Sequence, residues 1–96
     1  MPFPIAVHPY YIIDRKMTHE GIEAIVLHRE IRLYTMKIVT PPKEFRLHEV
    51  FDMSYRRLGR QGGILYLHTN QGVYPYLVRT DPAKFIDAYK ELAKGS

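Results

Sequence analysis

The last quarter of the chain is the one segment with a clear helical pattern, and it follows a series of strand-like segments. Asp81 is predicted to cap this helix and Pro82 to occupy its first position. The helix carries one apolar stripe, formed by Phe85, Ile86, Tyr89, Leu92 and Ala93. A single amphipathic helix must bury its stripe against other elements, and the rest of the chain offers mainly sheet. The sequence therefore predicts a mainly β fold with one C-terminal helix.

Length and composition indicate one domain spanning residues 1–96. The apolar share of 46%, with eight tyrosines and four phenylalanines, is typical of a folded globular chain. There is no cysteine, which excludes disulfides and cysteine-based zinc sites. No apolar run approaches the eighteen or so residues of a membrane span, and the N-terminus lacks the pattern of a signal peptide. We expect a cytoplasmic protein without a transmembrane segment.

Seven short segments rich in β-branched and aromatic residues precede the helix. The predicted strands are Ile5–Asp14, Ile22–His28, Ile31–Val39, Phe45–Asp52, Met53–Leu58, Ile64–Thr69 and Val73–Arg79. Segment 18–30 also fits helical spacing, but its β-branched content and the alternation that follows it favour strand. Arg15–Gly21 is interpreted as a polar connection, and Arg29 and Glu30 as a tight turn.

Prolines and phase changes give further predictions about the strands. Pro9 predicts a bend in the first strand, and Pro75 predicts that the last strand lies at a sheet edge. Val50 is out of phase with the residues before it, which predicts a β-bulge near His48 and Glu49.

Three segments together resemble small bacterial pleckstrin-homology-like domains. They are Phe45–Ser54, the hairpin Gly63–Thr69 with Gly72 and Val73, and the closing helix with Asp81, Pro82, Phe85 and Tyr89. The resemblance implies a β-barrel of about seven antiparallel strands capped by the C-terminal α-helix. An SH3-like barrel with an added helix and an α+β roll are the alternative architectures. The resemblance also implies a non-catalytic module that recruits partners, or a second copy of itself, through loops and open sheet edges.

Two basic groups are candidate ligand-binding residues within a net charge of +4. Arg15 and Lys16 lie where pleckstrin-homology domains often bind phosphorylated lipid headgroups, but the predicted second strand here contains no arginine. Two basic residues would supply only about 2 kcal/mol of attraction to an anionic membrane.

The second group is Arg56, Arg57, Arg60 and Arg79. Because four tyrosines are interleaved with these arginines, a nucleic-acid-binding β-barrel is the alternative function. The simpler interpretation is that the tyrosines pack the sheet while the arginines are solvated.

No pattern for catalysis or metal binding is present in the sequence. The acidic residues give no strong catalytic pair, and Ser54 lacks the glycine context of a nucleophile elbow. The five histidines show no short metal-ligand spacing. We therefore predict no enzyme activity, no cofactor and no metal. The predicted function is that of a binding or self-assembly module.

Overall fold

A computed structural model describes residues 3–95 as one antiparallel sheet of seven strands followed by a single helix. The strands are β1 (Ala6–Thr18), β2 (Gly21–Leu33), β3 (Lys37–Thr40), β4 (Lys43–Arg46), β5 (Val50–Arg57), β6 (Gly63–Thr69) and β7 (Gly72–Val78), and the helix is α1 (Ala83–Lys94). The strand order is β4-β3-β2-β1-β7-β6-β5. The mainly β class and the C-terminal helix are therefore confirmed. The sheet is open, with β4 and β5 at its two edges, so the strands do not close into the expected barrel.

The first two strands are longer than predicted, because they form one hairpin of thirteen residue pairs. Its turn is only two residues long, and Gly21 follows that turn with a φ of +124°, a conformation that glycine adopts without strain. The expected polar connection at Arg15–Gly21 is wrong, since Arg15 and Lys16 lie inside β1. The expected turn at Arg29 and Glu30 is also wrong, since both residues lie inside β2. Strand rather than helix is confirmed for segment 18–30 except at the turn itself.

The middle of the chain is divided differently from the prediction. The expected third strand is split between the end of β2 and the short strand β3. The expected fourth strand is interrupted by a 3-10 turn, Leu47–Glu49, in which the Glu49 carboxylate accepts the backbone N–H of Arg46 at 3.0 Å. The strand register shifts between Val50 and Asp52, close to the bulge that was predicted.

The prediction that Pro75 marks an edge strand is wrong. Strand β7 lies between β1 and β6, and Pro75 is paired with Tyr66 in a regular β6–β7 ladder. The β1–β7 ladder consists of the single pair Tyr11 and Leu77. Strand β1 does not pair with β7 at Pro75. On the side of β7 that faces β1, a backbone N–H at position 75 would therefore have no strand partner, and the proline costs no hydrogen bond there. Pro9 does not interrupt pairing either, and it faces Glu30 within the continuous β1–β2 ladder.

The core is formed by side chains of both the sheet and the helix. It consists of Tyr10, Ile31, Leu33, Ile38, Phe45, Val50, Met53, Leu65, Leu67, Val78, Phe85 and Tyr89. Helix α1 begins at Ala83, one residue later than expected, and the Asp81 carboxylate accepts the Ala83 N–H at 2.9 Å. The Tyr89 hydroxyl donates to the Val50 carbonyl oxygen, which ties the helix to β5. No helix within residues 3–95 is long and apolar enough to cross a bilayer.

His8 joins the first strand to the segment before the helix. It is buried, and its Nε2 lies 3.2 Å from the Thr80 carbonyl oxygen and 3.3 Å from the Thr80 hydroxyl. Burial lowers the pKa of His8, while the Thr80 carbonyl and the charge of Asp81 oppose the shift. The neutral imidazole is therefore the form that the folded chain prefers.

This lowered pKa predicts a loss of stability in mild acid. The unfolded chain binds the His8 proton more tightly, so the contribution of His8 is complete above its unfolded pKa of about 6.5 and falls as the pH drops below that value. Urea unfolding of the wild type at several pH values between 7.5 and 5 should show this decline. In His8→Asn, the free energy of unfolding should fall less steeply between pH 7.5 and pH 5, because the contribution of His8 is removed. An identical pH dependence in the variant would contradict the assignment.

Candidate functional site

The outer part of the β1–β2 hairpin projects from the core as an arm, which we define as residues 12–27. The molecule is elongated, with principal extents of 53 × 31 × 26 Å. Apolar side chains on the arm face solvent: Met17 is 81% exposed and Ile22 is 71% exposed. An isolated two-stranded hairpin is only marginally stable in water, and large exposed apolar patches are a feature of interaction surfaces, so the arm is a candidate functional site.

The pairing register places the most exposed apolar residues on one face of the arm. Ile13 is paired with Val26 and Met17 with Ile22, and directly opposed residues in an antiparallel ladder point to the same face. Buried Tyr10 is an odd number of residues from both Ile13 and Met17, so it points to the opposite, core-directed face. The four apolar residues therefore form a stripe on the face turned away from the core, which we call the outer face.

The arm also has free strand edges. Strand β2 pairs with β3 only at Arg32 and Leu33, so no strand of the described chain covers its outer edge from Gly21 to Ile31. Strand β1 pairs with β7 only through Tyr11, which leaves its edge free from Ile12 onward. Unpaired backbone N–H and C=O groups along such edges are templates for pairing with another strand.

A second feature is an aromatic cleft of about 490 Å³ where β1 and β7 separate. It is lined by Tyr10, Tyr11, Ile12, Ile13, Thr40, Pro41, Pro42, Lys43, Tyr74, Pro75, Tyr76 and Leu77. The rings of Tyr10 and Tyr76 meet edge to face at 5.0 Å. The Tyr76 hydroxyl lies 3.0 Å from the Thr40 hydroxyl, and burial raises the pKa of Tyr76 and of Tyr10. Both phenols therefore remain protonated hydrogen-bond donors at neutral pH.

Arg15 and Lys16 lie on the arm, far from the other predicted ligand-binding residues. As neighbours in one strand they point to opposite faces, Arg15 to the outer face opposite Ala24 and Lys16 to the core-directed face opposite Glu23. They do not form one basic pocket.

The other four predicted residues lie at the end of the sheet where β5 meets β6. Arg56 and Arg57 end β5, Arg60 lies in the following turn, and Arg79 follows β7. All four are exposed, and the guanidinium of Arg79 stacks 4.6 Å from the ring centre of Tyr11. The backbone of Arg79 is brought close by Gly62, where an added Cβ would lie 2.8 Å from the Arg79 Cα. The arginines thus share one end of the sheet but not one face.

The interleaved tyrosines are also divided between the two faces. Tyr66 pairs with Ser54 and shares the outward face with Arg56, whereas Tyr55 pairs with buried Leu65. Tyr74 packs against buried Phe45, with ring centres 5.0 Å apart, and lines the aromatic cleft. The nucleic-acid function stays a prediction, and Tyr66 is the tyrosine placed beside Arg56 for it.

The structure reveals one polar contact that the sequence did not indicate. The Ser54 hydroxyl lies 2.7 Å from Nε2 of His68, across the β5–β6 ladder. Asp52 faces His68 in the register but forms no hydrogen bond with it. The pair lies on an outward sheet face beside Phe51 and Tyr66. It lacks the orienting third group of a catalytic triad, so the contact is best read as cross-strand packing.

Across residues 3–95, no three His, Asp or Glu side chains come together as a metal-binding group. The five histidines are dispersed over the fold, with His8 in the core and His19 in the turn of the arm. Comparison of the chain with family models, curated proteins and solved structures gives no match. The arm and the cleft are the two surface features of the structure that bear on function.

Proposed function

We propose that this protein is a non-catalytic, pleckstrin-homology-like assembly module that associates with a second copy of itself through the β2 edge of its arm. The strand order and the C-terminal helix support the pleckstrin-homology-like part of the proposal. The observation that carries self-assembly is the arm, where one free strand edge and one exposed apolar stripe occur on the same element. Pairing of two such edges would give their free backbone N–H and C=O groups hydrogen-bond partners, and it would also extend the apolar face.

Charge and length together favour the β2 edge over the β1 edge. A closed dimer has a two-fold axis, so the residue at the axis faces its own copy. On β1, an axis at Asp14, Arg15 or Lys16 would place like charges directly opposite each other. The available edge of β1 is only seven residues long, Ile12–Thr18. The β2 edge is therefore the favoured one.

Charge also limits the register along β2. An axis at Glu23 opposes two carboxylates, and an axis at Ile25 places Glu20 opposite Glu30 of the second copy. An axis at Ala24 places two small side chains at the centre and Glu20 opposite His28 of the second copy. An axis at Val26 avoids like charges too, but it places Ile22 opposite the charged Glu30 on the outer face. In the Ala24 register the corresponding mismatch, Glu23 opposite Ile25, lies on the other face.

The register centred on Ala24 gives the more continuous apolar face. In it, Ile22 faces Val26 of the second copy, and each residue keeps its own hairpin partner. The resulting row across four strands reads Met17, Ile22, then Val26 and Ile13 of the second copy. The two-fold axis repeats this row, so two apolar rows would share one face, with Arg15, Ala24 and their symmetry copies between them. We expect this four-stranded sheet to be the core of the dimer interface.

Sedimentation equilibrium of the wild type tests the proposal. The chain has a mass of 11.3 kDa, and we expect a concentration-dependent shift toward twice that mass. A chain that sediments as a monomer up to millimolar concentration would contradict self-assembly.

A further inference from the structure

We propose that the aromatic cleft between β1 and β7 binds a proline-rich peptide segment that carries acidic residues. This inference concerns a different surface from the β2 edge and does not depend on self-assembly. The cleft is formed where the two strands separate beyond their single pair, Tyr11 and Leu77, and the β3–β4 turn forms its other wall. Because three separate segments build it, its width is set by the fold.

The chemistry of the lining favours polyproline. Its side chains are tyrosines, prolines and isoleucines with a few polar tips, and aromatic-lined grooves of this composition bind polyproline helices. A proline-rich segment is already extended before it binds, and it has few N–H donors that would be left unpaired in an apolar cleft. Tyr10 donates to the Pro41 carbonyl at 3.3 Å, and this bond fixes its ring in the cleft wall.

A hydrogen-bond donor suited to peptide carbonyls is also present. It is the Lys43 ammonium, whereas the Tyr76 hydroxyl is already paired with Thr40, which donates its own hydroxyl to the Lys43 carbonyl. Lys43 donates to the Tyr74 hydroxyl at 3.1 Å, which holds the ammonium at the rim of the cleft. Its other N–H groups can bind a carbonyl or a carboxylate of a peptide.

The positive charge at the cleft favours a peptide that also carries acidic residues. The lining contains no Asp or Glu, and Lys43 has no ion-pair partner in the described part of the chain. Arg79 does not line the cleft but lies over Tyr11, which does, and it is likewise without a carboxylate partner among residues 3–95. A peptide in the cleft would meet the Lys43 ammonium, with Arg79 as a second cation beside Tyr11.

Nuclear magnetic resonance titration tests this inference. The probe is a decapeptide of six prolines with two glutamates at each end, added to 15N-labelled wild type and to Val26→Arg. We expect amide shifts to change at Tyr11, Tyr74 and Leu77 in both proteins, since strand β2 contributes no side chain to the cleft. Lys43→Glu should weaken binding about tenfold, because a reversed charge exchanges attraction for repulsion. Lys90→Glu, an exposed change on α1, should leave affinity unchanged.

Two further peptides separate proline recognition from charge alone. The first keeps the glutamates but replaces the prolines with alternating Gly and Ser, and the second keeps the prolines but carries lysines. We expect both to bind at least tenfold more weakly. Equal binding of the Gly-Ser peptide, or an absence of shift changes at the cleft with the proline peptide, would overturn the inference. If Val26→Arg no longer self-associates but still binds the peptide, the result supports peptide binding at the cleft.

Discussion

A chain ending at Arg79 is expected to lose its cooperative thermal unfolding transition. The truncation removes Phe85 and Tyr89, each 2% exposed, and the half-buried Ile86 and Leu92. Burial of four large apolar side chains contributes roughly 6–10 kcal/mol before entropy, at about 1.5–3 kcal/mol each. That is comparable to the roughly 5–15 kcal/mol net stability of an ordinary domain. The truncation also removes the hydrogen bond that the Val50 carbonyl oxygen accepts from the Tyr89 hydroxyl.

Differential scanning calorimetry measures this effect directly. Lys90→Ala is a suitable control, because Lys90 is exposed on the same helix and its removal exposes no core. The control should keep a sharp transition close to that of the wild type. A sharp transition in the truncated chain would show that the sheet folds without the helix, contrary to this prediction.

Val26→Arg is expected to abolish self-association while the domain stays folded. Two-fold symmetry places two new arginines in each dimer, each opposite Ile22 of the second copy. Each arginine replaces an apolar cross-strand contact with a charge at two symmetry-related positions, which should weaken dimerisation at least about a hundredfold, equivalent to about 2.7 kcal/mol. Val26 is 41% exposed in the single chain, so its replacement should cost the monomer little.

Val73→Arg is the matched control for that variant. Val73 is a β-strand valine that is 54% exposed, but it lies on β7, away from the arm. Sedimentation should show a monomer for Val26→Arg and wild-type association for Val73→Arg, with similar circular dichroism spectra for both. Equal association of the two variants would place the interface elsewhere.

Much of the fold could be predicted, because the signals are local. The apolar stripe of α1 is confirmed by burial of Phe85 and Tyr89. The β6–β7 hairpin is confirmed too, with Gly72 at a positive φ of +127° after the turn. Such features depend on spacing and on the conformational freedom of one glycine, and both are visible in a sequence.

The arm and the cleft could not be predicted, because they depend on where strands stop pairing. Ile13 and Val26 have the residue types of core strands, and they are exposed because the hairpin extends beyond both the short β2–β3 ladder and the single β1–β7 pair. The prediction that Pro75 marks an edge strand was wrong for a related reason. An interior strand such as β7 tolerates proline at a position where the neighbouring strand, here β1, does not pair with it. The cleft joins residues as distant as Tyr10 and Tyr76, and no local pattern connects them.

Disulfide trapping of Ala24→Cys tests the proposed assembly most directly. The native chain has no cysteine, so any disulfide between two protein chains must join the two introduced residues. Directly opposed residues in an antiparallel pair have Cα atoms about 4.5–5.5 Å apart, within the range that a disulfide spans. Under a mild glutathione buffer, Ala24→Cys should convert to a covalent dimer much faster than Val73→Cys at the same concentration. Equal rates for the two variants would contradict pairing of the β2 edges at Ala24.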